Sequence, residues 1–485
     1  MSINLVLSAN ANANGKVEAL ERCVLDLVQL FTTWKNSFAR VNRLPPEILA
    51  RVAWFLPSHS IYAGLRVCRY WYNVLMSPEV WSDIDLDRID AAQVFLDRSK
   101  GAPVDVKIAQ SPGETELSIL STYSSRIRSL DISPGATWKE LLTHFSNAPA
   151  PVMRNLRVAR DWRSGTYSQL PSTFFTGNLP SLKTLVLSGI SSDLTHLVLP
   201  NLTTFELSRV VDSSATLSLS SLLDFLERSP LLEVLRFAYR SRYDDTAAPK
   251  RVVALHHLKS IHISGQPLTP LDTSRGLLAH LSLPFGVVAE LSIFVHGSDN
   301  DIVPRAVPLH HDLIPCTKSL KKIRFQWLSD TNCVMTFLGD NGVLRIFANW
   351  RRDHQDFAAG AICSFGSLDV SGIDTLVVEG YGDNNQYFIQ ALTTLESLRW
   401  LTLTGCNNES LLSALRHEGT SPRLRHLTVG FTHKRGAHAA DLLGMVKIRK
   451  LRGQGLETLS LDQGSLGNFV GDISSLQEHV GSLEV

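Results

Sequence analysis

The feature that most constrains this chain is a short phrase, L-x-x-L-x-L with conservative apolar swaps, that recurs from about residue 100 to the end. It reads at Ile127–Ile132, Leu182–Leu187, Leu202–Leu207, Leu232–Phe237, Leu258–Ile263, Val288–Ile293, Leu320–Phe325, Ile373–Val378, Leu398–Leu403, Leu424–Val429 and Leu456–Leu461. Weaker forms stand at Val104–Ile108 and Leu156–Val158. Neighbours lie about 20 to about 32 residues apart, with a gap of about 50 between the Leu320 and Ile373 phrases. The last two apolar positions alternate with polar ones, the period of a strand buried on one face. Helical patterns lie between strands, as at Ser221–Arg228 before Pro230 and Ala439–Arg452 before Gly453.

A strand followed by a helix at this period predicts an α/β fold with a parallel sheet and outer helices. The expected architecture over 91–485 is a leucine-rich-repeat-like solenoid with the sheet on its concave face. No single unit can bury its leucines, but stacked neighbours can. The residues between the leucines should point to the concave face, among them Thr184, Glu206, Arg236, His262, Lys322, Arg324, Trp400 and His426. Arg236, His262, Lys322, Arg324, Trp400 and His426 are the candidate contacts for a protein ligand, with Trp400 suited to be a hot spot. Gly339–Phe365 fits no clear unit and reads as an insertion or a poorly matched repeat.

The N-terminal part follows a different pattern. Residues 8–15 are small and polar, and 1–15 are expected to form a disordered start. Val17, Leu20, Val24, Leu27, Val28, Phe31 and Trp34 form one stripe of a helix over 16–40. Docking on the next domain is the favoured reading, with a short coiled coil as the alternative. Leu44–Leu86 is denser in apolar residues. Pro45-Pro46-Glu47 is a helix start, with proline in the first turn and a carboxylate at the positive end. Ile48, Leu49, Val52, Phe55 and Leu56 give it a wide apolar face, and Pro57-Ser58 stops it. Leu65, Val67, Cys68, Trp71, Val74 and Leu75 form a second helical set, followed by Ser77-Pro78, Val80-Trp81 and Ile84. A unit of about 40 residues is near the lower limit of independent stability. One with this much apolar surface implies a partner surface.

Leu44-Pro45-Pro46-Glu47-Ile48-Leu49, then Leu65-x-Val67-Cys68-Arg69-x-Trp71, then Val80-Trp81, resembles the F-box motif in order and spacing. An F-box over 41–90 followed by irregular leucine-rich repeats is similar to the large fungal F-box families. The resemblance implies a substrate-receptor subunit of a Skp-cullin-F-box type ubiquitin ligase. Its F-box would bind a Skp-family adaptor and through it a cullin-RING ligase, and its repeats would recruit an unknown protein substrate. Carried over by position, the adaptor-facing set is Leu44, Pro45, Pro46, Ile48, Leu49, Val52, Leu56, Leu65, Val67, Cys68 and Trp71. The family often has an acidic-leucine pair between the first two blocks. Ser60-Ile61 stands there, a departure expected to weaken docking. The alternative reading is a leucine-rich-repeat binding scaffold with no ligase role, its helical unit serving as an end cap.

The remaining patterns point away from bond chemistry. No catalytic spacing such as G-x-S-x-G or H-E-x-x-H occurs, so a non-catalytic adaptor is expected. Gly380–Asn385 lacks the third glycine and the lysine of a phosphate loop. His256-His257 and His310-His311 are adjacent pairs that point different ways, and Asp299-Asn300-Asp301 lacks the rest of a calcium loop. No metal or other cofactor is expected. Six scattered cysteines without a C-x-x-C pair read as buried free thiols. Lys447, Arg449, Lys450 and Arg452 read as the solvated face of a repeat helix. A net charge of +1 gives no field for nucleic acid, and no long apolar run predicts a membrane span. Without a signal sequence, the expected location is cytoplasmic or nuclear.

Overall fold

A computed structural model describes residues 2–484 except 87–88, 110–112, 134–142, 147, 160–168, 171–174, 176–178, 193, 211–217, 240–250, 266–271, 296–302, 304–306, 309–312, 330, 351–367, 381–384, 406–407, 431–437 and 462–472. His310-His311, Asp299-Asn300-Asp301, most of Gly380–Asn385, and Cys363 and Cys406 fall outside the described residues.

The chain folds as a mixed α/β structure with helices at the N-terminus and one 17-stranded, predominantly parallel sheet. In space the sheet begins with β1 (Asp83–Asp85), β2 (Val104–Ile108), β3 (Ile127–Ile132), β4 (Asn155–Ala159) and β5 (Thr184–Ser188). β6 (Thr204–Val210), β7 (Val234–Tyr239), β8 (Ser260–Gly265) and β9 (Val287–Val295) follow in order, all parallel. The far end is β13 (Thr375–Glu379), β14 (Trp400–Thr404), β15 (His426–Gly430), β16 (Thr458–Leu461) and β17 (Ser482–Glu484), again parallel. Each of the eleven phrases lands on one of these strands or on β10 (Leu320–Ser329), and the weaker phrases are β2 and β4.

The alternation explains the placement. Val106, Leu130, Leu156, Leu185, Phe205, Leu235 and Ile261 sit opposite one another across neighbouring strands and are buried. The first apolar residue of a phrase, as in Leu182, Leu202 and Leu232, lies just before its strand and enters the same core. Helices supply the other wall, as Leu222, Leu223, Phe225 and Leu226 of Leu219–Glu227 show. Ser218 caps that helix by accepting from the Ser221 N–H at 3.0 Å. The other face of the sheet carries mostly half-buried or exposed residues, with Val186, Val334 and Thr336 buried.

The long gap between phrases has a structural cause. β10, β11 (Asn332–Gly339) and β12 (Gly342–Trp350) form an antiparallel meander inside the parallel sheet. β12 pairs with β9, and β10 pairs with β13. In its described part, Gly339–Phe365 contributes the full sheet strand Gly342–Trp350 to this meander. Gly342 sits at φ +136, and a Cβ there would lie 2.5 Å from the Val287 carbonyl oxygen, so the turn into β12 requires glycine.

Three further placements differ from expectation. Helix α1 runs Ser2–Ser37 and so includes 8–15. Its stripe is not docked on the next domain: Val17, Leu20, Val24, Leu27, Phe31 and Trp34 are all more than half exposed. Arg449, on the helix His438–Leu451, is buried, while Lys447, Lys450 and Arg452 face solvent. Its guanidinium donates to the carbonyls of Thr420 at 3.2 Å and Ser421 at 2.9 Å. Burial, with Arg425 and Arg452 nearby, lowers its pKa to about 10. Ser421 itself sits at φ 41, and its hydroxyl donates to the Leu392 carbonyl at 3.0 Å. Arg449→Met keeps the apolar length and removes the donors. It should cost about 1–3 kcal/mol in a urea titration, because two buried carbonyls lose their partner.

Cys316 and Cys333 are buried free thiols, as expected, but Cys23 is exposed and Cys68 half-buried. Burial pushes the Cys316 thiol up to about 12 and raises Cys333 as well. A maleimide at neutral pH should label Cys23 in the native protein and reach Cys316 and Cys333 only after denaturation; mass spectrometry of the labelled peptides checks this. Among the described residues no helix is long and apolar enough to cross a membrane.

Candidate functional site

Residues 40–82 form three short helices and two 3-10 turns that lead directly into β1. The turn Arg40–Arg43 is followed by α2 (Pro46–Trp54), with Pro46 at its first position and Glu47 in its first turn. Pro57 ends that stretch and leads into α3 (Ser58–Gly64). Extended Cys68 then turns the chain into α4 (Arg69–Leu75). The two helices approach so closely that a Cβ on Gly64 would lie 2.6 Å from the Leu75 side chain. Pro78–Trp81 forms the last turn.

The inner side of this unit is continuous with the sheet core through Ala53, Ile61, Leu75, Val80, Trp81 and Ile84. Trp81 is the joint. It is 0% exposed and donates its indole N–H to the Leu75 carbonyl at 2.7 Å. Tyr62 and Phe95 meet it edge-on at 5.7 and 4.9 Å, and the Arg98 guanidinium lies 4.3 Å from its ring centre. Behind it, Arg128 pairs with Asp105 at 2.5 Å, and that hydrogen bond raises the arginine pKa. The helical unit is thus seated on the first edge of the sheet.

The outer side is apolar and open. Ile48, Val52 and Phe55 follow at spacings of four and three, one ridge of α2 continued past its end, and all are exposed. Phe55 is 81% exposed. Pro45, Pro46 and Val67 are exposed as well, and Leu44 and Cys68 are half-buried. The other members of the expected adaptor-facing set lie inward. Leu49 is 1% exposed, and Leu56, Leu65 and Trp71 pack partly against the core. Trp71 donates to Asn42 Oδ1 at 2.7 Å, and the Tyr70 hydroxyl donates to the Leu44 carbonyl at 2.5 Å. These two bonds clamp the Arg40–Arg43 turn onto α4, so Trp71 shapes the unit from within, while Leu44 takes part through its backbone carbonyl. Phe55 and Tyr72 are exposed apolar residues outside the expected set. Helical phase could have found Phe55: it is in register with Ile48 and Val52, whereas Leu49 and Ala53 occupy a separate, buried face. Ile61, at the departure from the family pattern, is buried at 3% exposure. A change there acts through packing and not through direct contact.

The open face of the sheet is the second surface. Arg236 and His262 are register partners on β7 and β8, but each is already engaged. Arg236 pairs with Glu206 at 3.4 Å, and His262 lies 3.5 Å from Glu290, which also accepts from Arg345 at 2.9 Å. Arg324 is held by Glu379 at 2.8 Å. Such exposed pairs contribute at most about 1 kcal/mol each, but they neutralise this part of the face. Lys322 and Trp400 flank Thr375 across three strands. Trp400 and His426, partners on β14 and β15, stack with ring centres 5.0 Å apart and planes 8° from parallel. The two further along this face, Thr402 and Thr428, are uncharged. The six candidates therefore do not form one cluster: Arg236, His262 and Arg324 belong to ion pairs, and Trp400 stacks on His426, whose Nε2 lies 4.0 Å from Glu457.

Residues 41–87 match the F-box-like family model. The match covers about a tenth of the chain. It coincides with the helical unit seated on the sheet edge. An F-box-like domain is thus present at the N-terminal end of the sheet.

Proposed function

We propose that this protein is the substrate-receptor subunit of a Skp-cullin-F-box type ubiquitin ligase. The single observation that carries the proposal is the open apolar ridge Ile48–Val52–Phe55 on the F-box-like domain, whose opposite side is already filled by the sheet core. A domain this small does not leave such a ridge in water without a partner. In this reading Pro45, Pro46, Ile48, Val52 and Val67, joined by Phe55, touch a Skp-family adaptor, and Leu49, Leu56, Leu65 and Trp71 position them. The protein performs no bond chemistry itself; it bridges adaptor and substrate.

The large sheet is read as a leucine-rich-repeat-like solenoid, one strand and its connection per unit, over about 91–485. All-parallel sheets ordinarily have both faces covered. A face left open along many strands suits a protein ligand, and Trp400 stacked on His426 is its best anchor. The seating of the F-box on the sheet edge also supports a cap role, as in a scaffold without ligase function. The two roles use opposite sides of the same helices and are compatible. Co-purification of the intact protein with a purified Skp-family adaptor tests the proposal. A stable complex of one adaptor per chain is expected; no complex at micromolar concentrations sinks the ligase reading and leaves the scaffold.

A further inference from the structure

The exposed stripe of α1 is in strict heptad register. Val17, Leu20, Val24, Leu27, Phe31 and Trp34, with Phe38 just past the helix end, follow at alternating spacings of three and four, the a and d positions of a coiled coil. All seven are between 52% and 67% exposed, and the helix reaches the rest of the chain through the Arg40–Arg43 turn at its C-terminal end. A helix of 36 residues with an unpartnered apolar seam is not a finished structure in water.

We infer that α1 pairs with α1 of a second copy of this chain in a parallel, two-stranded coiled coil. The seam itself selects the occupant. β-Branched valine at a with leucine at d, as in Val17–Leu20 and Val24–Leu27, is the combination that favours two parallel strands. In that register Lys16 at g faces Glu21 at e of the second copy, and by symmetry the reverse, so the flanking charges are complementary. Leu30 at g meets Lys35 at e, whose aliphatic stem can cover it. The Glu18–Arg22 pair, 3.6 Å apart, lies on the outer side. Over 16–37 three basic residues balance three acidic ones, which disfavours an anionic lipid surface as the occupant. The inference rests on no part of the ligase reading: the seam stops at Phe38, before the F-box-like domain begins.

Light scattering of the full chain under reducing conditions tests it. Twice the monomer mass of 53.7 kDa is expected at micromolar concentration. Leu20→Asp with Leu27→Asp should return the mass to the monomer value without moving the melting transition of the sheet, because neither side chain touches the fold. A wild-type monomer, with or without binding to neutral vesicles, overturns the inference, as does a dimer that survives both substitutions. Orientation is read from Leu20→Cys in a Cys23→Ser background. Parallel pairing places the two thiols together and gives a disulfide-linked dimer on mild oxidation. Antiparallel pairing about the middle of the seam would separate them by about 22 Å, and absence of the crosslink would overturn the parallel arrangement.

Discussion

Trp81→Ala should destabilise the protein by about 3–5 kcal/mol, measured by urea unfolding. The indole is fully buried between the F-box-like helices and the first strand, and its removal takes away the hydrogen bond to Leu75, two aromatic contacts and the face under Arg98. The surrounding elements are anchored independently by the sheet ladder and by α5 (Ile89–Arg98), so the space cannot close completely. Arg98 would be left beside an empty volume. Trp34→Ala is the control: that ring is on the exposed seam of α1, and the change should stay within about 0.5 kcal/mol for the unfolding of the monomer. Equal effects at the two tryptophans would mean that the joint between helices and sheet is not where the core places it.

Val52→Asp with Phe55→Asp should abolish adaptor binding while leaving the fold intact. Buried anchor residues of an interface commonly cost about 2 kcal/mol or more each on truncation, so the pair is expected to weaken binding by about a thousandfold in calorimetric titration. Introduced carboxylates add the cost of burying a charge in the contact. In the free protein both positions face water, and the unfolding free energy should move by no more than about 0.5 kcal/mol. The motif alone would have directed the same experiment to Leu44 and Trp71. The Trp71 side chain holds the Arg40–Arg43 turn against α4 through its bond to Asn42, beside the Tyr70 bond to the Leu44 backbone carbonyl. Loss of the Trp71 indole would disturb the domain and confound contact with support.

The strands were legible because most carry the period-two alternation of a sheet with one buried face, as at Ile127–Ile132 and Leu456–Leu461. The meander of β10, β11 and β12 was not. Cys333, Val334, Met335, Thr336 and Phe337 are consecutive and all buried, so no alternation marks that strand. Arg449 escaped for the converse reason: a cation within a basic run reads as solvated, and only the fold shows the two carbonyls it satisfies. In the F-box-like domain the motif marked the right residues without separating the two faces. Leu49 and Phe55 are both apolar residues of one short segment, yet one supports and the other is exposed, a distinction set by helical phase and by what the sheet covers. The stripe of α1 was visible in sequence. Its failure to dock was not, because a seam reads the same whichever surface covers it.

Hydrogen exchange of the intact protein, with and without a saturating Skp-family adaptor, tests the central claim most directly. Protection should appear at Pro46–Trp54 and at residues 65–72, with β13 to β17 unchanged. Protection confined to the open face of the sheet, or none at all under conditions where the adaptor binds a known F-box domain, would contradict it.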